Sequence, residues 1–200
     1  MRAWENPAHS RRPAVTAGSL EAAGGRMIYD YVESPIGKLL LAADDSGLRY
    51  IGFELGRHPV WIGDDWQRDH AALSAARAQL DAYFAGELMQ FDLPLAAQGS
   101  EFDLRVWSEL QRIPYGATLS YGELANRVGD PLAARAVGAA NGRNPLPIVV
   151  PCHRVVATDG ALTGYRGGLA RKQALLELER RVAAGGVPEP AWAFRQTALL

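Results

Sequence analysis

The 200-residue chain has a single cysteine, Cys152, and one of its four histidines follows directly in the stretch NPLPIVVPCHRVVA, residues 144–157. A thiol attacks carbon only as thiolate, and with an ordinary pKa of about 8.5 it needs a cation, a helix N-terminus or a base beside it. His153 and Arg154 are the adjacent candidates. Pro145, Pro147 and Pro151 exclude a helix here, so the segment reads as extended chain entering a tight turn at the cysteine. Neighbouring side chains of an extended segment point opposite ways, which predicts that Cys152 and His153 communicate through a water or a bend. A histidine base needs a third group to fix its tautomer, and Glu179 or Glu177 in LARKQALLELER is placed to reach back. Between them TDGALTGYRGG, residues 158–168, carries four glycines and one tyrosine, a composition suited to a loop whose backbone approaches a ligand. The competing reading is that a lone cysteine between two VV dipeptides is a small core residue and nothing more.

Composition narrows the field. At 48% hydrophobic the chain can bury a genuine core, and one cysteine forms no internal disulfide. His9, His58, His70 and His153 show no ligand spacing, so no metal is expected, and attack of a thiolate on carbon asks for no cofactor. No apolar run approaches a membrane span and the first residues lack a secretory core, so the expectation is a cytoplasmic protein with no membrane contact. The net charge of −1 hides an asymmetry: residues 27–100 hold five Lys/Arg against eleven Asp/Glu, and residues 101–200 hold twelve against nine. The C-terminal half is the one suited to an anionic partner, with chance surface variation as the alternative.

These groups must be positioned by elements that the pattern also predicts. Residues 1–26 read as a flexible arm. From Met27, short apolar runs broken by SPIG and DDSG predict a small sheet, and His70–Glu87 predicts a helix on the spacing of Leu73, Ala76, Leu80, Tyr83 and Phe84. FDLPLAAQGSE is the expected linker. Ser100 caps a helix carrying Phe102, Val106, Trp107 and Leu110, and Ser120 caps a second, YGELANRVG. Asp130 and Pro131 open a third, LAARAVGAANG. The last two match a helix-turn-helix, or simply pack as any short helix pair does. The outward positions of the third, Ala133, Ala134, Gly138 and Ala139, are too small to read base edges in a major groove. They suit close approach to a minor groove, with Arg135 either pushed into the duplex or merely solvated. The fold class expected is α+β/α, a small N-terminal α/β domain (27–95) before a mostly helical domain with the helix-turn-helix (96–182), then a tail (183–200).

PCHRVV, preceded by RAVGAANGRNP and followed by TGYRGGLARKQALLELE, resembles the active-site region of the O6-alkylguanine-DNA alkyltransferases. The resemblance covers roughly residues 28–180. It implies transfer of an alkyl group from O6 of guanine in DNA to the protein's own cysteine, once per molecule, after the base is flipped out of the duplex. Carried over by position, Cys152 is the acceptor, His153 its base through a water, and Glu179 the group orienting His153. Asn144 braces the turn, Tyr121 helps rotate the 3′ phosphate and donates to the base, and Arg135 fills the vacated stack. Tyr165, Arg166 and Gly167 form the wall of the alkyl pocket, and the carbonyls of Cys152 and Val155 read the guanine edge. Arg166 stands where some members carry a small hydroxyl residue, which narrows the room for bulky adducts. The partner implied is double-stranded DNA containing O6-alkylguanine, bound by a monomer with no obligatory protein partner, and O4-alkylthymine is a further candidate substrate. The alternative is a lesion binder or methylation sensor that does not turn over. A cysteine hydrolase is disfavoured because papain-like enzymes place His and Asn far downstream of Cys.

Overall fold

A computed structural model describes residues 25–54 and 62–188. Most of the expected arm and most of the expected tail lie outside the described residues. The N-terminal sheet has the order β3-β2-β1-β4, built from β1 (Ile28–Val32), β2 (Leu39–Asp44), β3 (Gly47–Phe53) and β4 (Gln67–Arg68). The two turns anticipated at SPIG and DDSG connect antiparallel neighbours, while β4 runs parallel to β1. Strand β2 lies inside the sheet and buries five consecutive residues, which explains its unbroken apolar run LLLAA. Helix α1 (Ser74–Phe84) starts four residues later than its apolar spacing predicts. Asp69 accepts the Ala72 N–H at 2.9 Å and draws residues 70–73 into a turn instead.

The linker is not a loose connection. Leu48 N–H donates to Pro94 O at 2.7 Å and Ala96 N–H to Leu48 O at 2.9 Å, so the segment lies along the free edge of β3. Beyond it, α2 (Glu101–Gln111) and α3 (Tyr121–Arg127) each begin in a full capping box, from Ser100 with Asp103 and from Ser120 with Glu123. Helix α4 (Ala134–Arg143) packs on both, and Trp107 of α2 donates its indole N–H to Ala140 O at 2.9 Å. Its start differs from expectation: the Asp130 carboxylate accepts the Leu132 N–H at 3.0 Å, so residues 130–133 form a separate turn and the helix opens without a side-chain cap. Two parallel two-residue strands, β5 (Leu119–Ser120) and β6 (Val155–Val156), pair just before α3 and just after the cysteine. Helix α5 (Leu169–Ala183) closes the fold. One contiguous apolar core runs through sheet and helices. No helix among the described residues is long and apolar enough to cross a membrane.

Candidate active site

The turn that presents Cys152 is held by one side chain. Asn144, at the C-terminus of α4, donates from Nδ2 to Val150 O at 2.8 Å and accepts the Leu146 N–H on Oδ1 at 3.0 Å. Between these anchors Ile148 adopts φ +78°, a left-handed conformation that a β-branched residue avoids. Such a residue costs about 1–3 kcal/mol and persists only where its surroundings dictate it. Cys152 N–H then bonds to Val150 O at 2.8 Å around Pro151, and Cys152–Arg154 form a single 3-10 turn that supplies the bend expected between thiol and imidazole.

His153 and Glu179 are both completely buried, and His153 Nε2 lies 2.8 Å from Glu179 Oε1. The alternative carboxylate, Glu177, is engaged with Arg180 and Arg181 at the surface. Arg154 does not face the thiol. Its Nε reaches Glu179 Oε2 at 2.8 Å, its Nη2 reaches Oε1 at 2.9 Å, and its Nη1 donates to Ile113 O at 2.6 Å. Tyr83 of α1 donates its hydroxyl to Glu179 Oε1 at 2.8 Å, and Gly116 N–H donates to Oε2 at 3.2 Å. Gly116 sits at φ +76°, where a Cβ would come 2.7 Å from Ala183 Cβ, so glycine is the residue that fits. Burial pushes the Glu179 carboxyl upward, but the hydrogen bonds and charges of His153 and Arg154 outweigh it and hold the group at about 2. An ionised Glu179 accepts the proton on His153 Nε2, leaving the lone pair on Nδ1, and that atom is buried with no partner among the described residues. Burial keeps His153 neutral, with its pKa below the ordinary value despite the carboxylate.

Burial also pushes the Cys152 thiol up to about 11, opposed by a hydrogen bond from Asn144 and by the charges of Lys172 and Arg166. At rest the site therefore holds a protonated thiol and, on the next residue, a neutral imidazole. Lys172 is fully buried and donates from Nζ to Val155 O at 2.5 Å and to Thr163 O at 2.7 Å; burial lowers its pKa to about 8. Asn141 Nδ2 approaches Cys152 O at 3.4 Å and the Val155 N–H donates to the same oxygen, so both carbonyls implied as readers of the guanine edge already carry internal donors. Lys172 was open to detection, since Lys172, Leu175, Glu179 and Val182 form one stripe of α5 in which two charged residues interrupt an apolar face. Tyr83 and Gly116 carried no such signal.

The loop of residues 163–168 is tied to the N-terminal sheet. The Tyr165 ring meets Phe53 edge-on at 6.1 Å, and its hydroxyl is buried without a partner among the described residues. A Cβ at Gly167 would fall 2.6 Å from Phe53 and 2.7 Å from Tyr165, so no side chain fits. The Arg166 guanidinium lies over Tyr50 at 5.4 Å, and Arg171 stacks on Phe53 at 4.9 Å while donating to Ile36 O and Gly167 O. Tyr121 begins α3, and its hydroxyl lies 3.5 Å from Thr163 O of this loop. Gly138 faces the Tyr121 ring and does not simply point outward, and a Cβ there would make an ordinary 3.6 Å contact with that ring. Ala133 and Ala134 are half-buried, and Arg135 is exposed with no hydrogen bond or ion pair among the described residues.

Residues 27–97 match the 6-O-methylguanine DNA methyltransferase ribonuclease-like domain, and residues 101–181 match the DNA-binding domain of the same proteins. A methylated-DNA–protein-cysteine methyltransferase of Methanosarcina acetivorans is 51% identical over 153 residues, covering 76% of this chain and 98% of that protein. One of Mycolicibacterium paratuberculosis is 55% identical over 156 residues, 76% of this chain and 92% of that protein. The crystal structure of Mycobacterium tuberculosis OGT in complex with DNA superimposes with a TM-score of 0.73 at 50% identity, covering 78% of this chain and 94% of the other. With both domains matched and half of the aligned residues shared over nearly the whole of these relatives, the chain belongs to the 6-O-methylguanine DNA methyltransferase family.

Proposed function

We propose that the protein repairs double-stranded DNA by taking an alkyl group, methyl above all, from O6 of guanine onto Cys152 Sγ, once per molecule. The observation that carries this reading is the buried, unpartnered His153 Nδ1 one residue from a buried thiol, with Nε2 held by an ionised carboxylate. The Sγ–H proton passes through a water to Nδ1, and the thiolate displaces the methyl carbon. The C–O bond electrons return to O6, and the departing guanine takes a hydrogen bond or proton from Tyr121. The product thioether is a poor leaving group, which ends the reaction at one transfer. A base inside the duplex hides its O6 substituent, so the nucleotide must be extruded at a cost of a few kcal/mol. The uncapped N-terminus of α4, its small residues Ala133, Ala134 and Gly138, and the free Arg135 support docking in a minor groove with the guanidinium entering the stack. Tyr165, Gly167 and Arg166 bound the alkyl pocket, and O4-alkylthymine is a secondary substrate of the same chemistry. Intact mass after incubation with an O6-methylguanine duplex tests the reading. One added methyl on Cys152 and none on Cys152→Ala is expected. Multiple turnover, or methylation of the alanine variant, overturns it, and tight binding with no mass gain leaves a lesion binder.

A further inference from the structure

The N-terminal domain sends one hydroxyl into the proton path. Tyr83 is fully buried on α1 among aromatic rings, with Phe84 and Phe91 at 5.3 Å and Tyr115 at 5.9 Å. A phenylalanine would fill the same space, so packing alone does not call for the hydroxyl. The hydroxyl lies 2.8 Å from Glu179 Oε1, the oxygen that also takes His153 Nε2 and Arg154 Nη2. The other oxygen takes Arg154 Nε and Gly116 N–H. A carboxylate offers about four lone-pair sites, and five donors converge on this one, three of them on Oε1. The donors therefore compete, and whatever Tyr83 draws from Oε1 is withheld from His153. Burial, reinforced by the Glu179 charge, keeps the Tyr83 phenol protonated, so it acts as donor throughout.

We infer that Tyr83 is a positioning residue for alkyl transfer, which by sharing Glu179 Oε1 limits how much carboxylate charge reaches His153 and so keeps the imidazole neutral and its Nδ1 lone pair free. The inference rests on the proposed role of His153 as the base for Cys152. The charged and titratable groups around His153 and Glu179 are Tyr83 from α1, Tyr115 from the segment after α2, Cys152 and Arg154 from the 3-10 turn, Tyr165 from the pocket loop, and Lys172 from α5. Arg154 and Lys172 are cations that oppose a charged imidazole, leaving Glu179 as the one group favouring it. Loss of the phenol hydroxyl therefore has a definite sign: the His153–Glu179 bond strengthens, and protonation of the imidazole becomes easier.

The test compares wild type and Tyr83→Phe as full-length protein. Single-turnover transfer from an O6-methylguanine duplex is followed between pH 4.5 and 9, and the His153 ring is titrated by nitrogen NMR over the same range. The variant should show its acid limb and its His153 midpoint both displaced upward by about half to one pH unit, with DNA affinity unchanged within about twofold. A tyrosine that merely packs would leave both midpoints in place whatever happened to the plateau rate. That result, or a downward displacement, overturns the inference. A wild type that binds the duplex without transfer defeats the reading of His153 as base, while the NMR titration still decides what Tyr83 does to the imidazole.

Discussion

Replacing Glu179 by Gln should destabilise the protein as well as slow it, and two views of the same set of contacts give the size of the loss. The folded state holds the Glu179 carboxyl at about 2 against an ordinary 4.5, a difference worth about 3 kcal/mol. Seen from the partners, the amide presents an NH2 to donors that need an acceptor and leaves the buried Arg154 guanidinium without its counter-charge, a type of change that costs about 3–5 kcal/mol and so agrees with the linkage figure without adding to it. Guanidinium denaturation at pH 7 should therefore show Glu179→Gln less stable than wild type by about 3 kcal/mol or more. The sign of the pH dependence is set by the depressed pKa: the stabilisation is complete above about 4.5 and disappears as pH falls through about 2. The gap between wild type and variant should shrink over that interval, because protonation strips the wild-type carboxyl of the same charge. Adding Arg154→Met should recover part of the loss, since the stranded guanidinium goes with it. A gap under about 1 kcal/mol at neutral pH, or one that persists unchanged into acid, would refute the assignment of Glu179 as the charged hub of the fold.

Two further substitutions probe the DNA side. Arg135→Ala should slow transfer on a well-paired duplex by about tenfold or more and on single-stranded lesions by much less, measured at saturating protein, because unpaired substrates have already met part of the extrusion cost. A defect independent of pairing, with a salt slope flatter by about one charge, would make Arg135 an ordinary phosphate contact. Arg166→Ser should raise transfer from O6-benzylguanine relative to O6-methylguanine by about tenfold, read as the ratio of two single-turnover rates. An unchanged ratio would place the Arg166 side chain outside the alkyl pocket.

The parts legible in the sequence were those with a local cause. Ser100 and Ser120 announced their helices because a capping box is written within four residues, and SPIG and DDSG announced turns because their residues favour them. The proline-rich run before Cys152 excluded a helix for the same reason. What stayed hidden depends on contacts distant in sequence. Strands β5 and β6 are two residues each and exist only by pairing with one another. Tyr83 reads as one more apolar position on α1, and its bond to a carboxylate 96 residues away leaves no mark on the periodicity. Arg154 was expected to assist the thiol as its near neighbour, yet the 3-10 turn carries its side chain toward Glu179, because a buried carboxylate demands a cation more strongly than a protonated thiol does. The start of α4 was misplaced because Asp130 uses its carboxylate to close a turn when it might have capped a helix.

The burial of Cys152 has a consequence for the lifetime of the protein as a reagent. Moving the thiol from an ordinary value of about 8.5–9 to about 11 lowers its thiolate fraction near neutral pH a hundredfold or more, and the enclosing chain leaves it only 3% exposed. Small alkylating agents and oxidants in solution act on exposed thiolates, so the folded molecule withholds the form they attack. An unfolded copy has no such shelter: its cysteine returns to ordinary acidity and full exposure, and oxidation there proceeds to forms that refolding does not reverse. Conformational stability and chemical shelf life are thus one property in this protein. On the proposed function, the turn strained at Ile148 and clamped by Asn144 is what keeps the thiol enclosed and unspent between encounters with substrate.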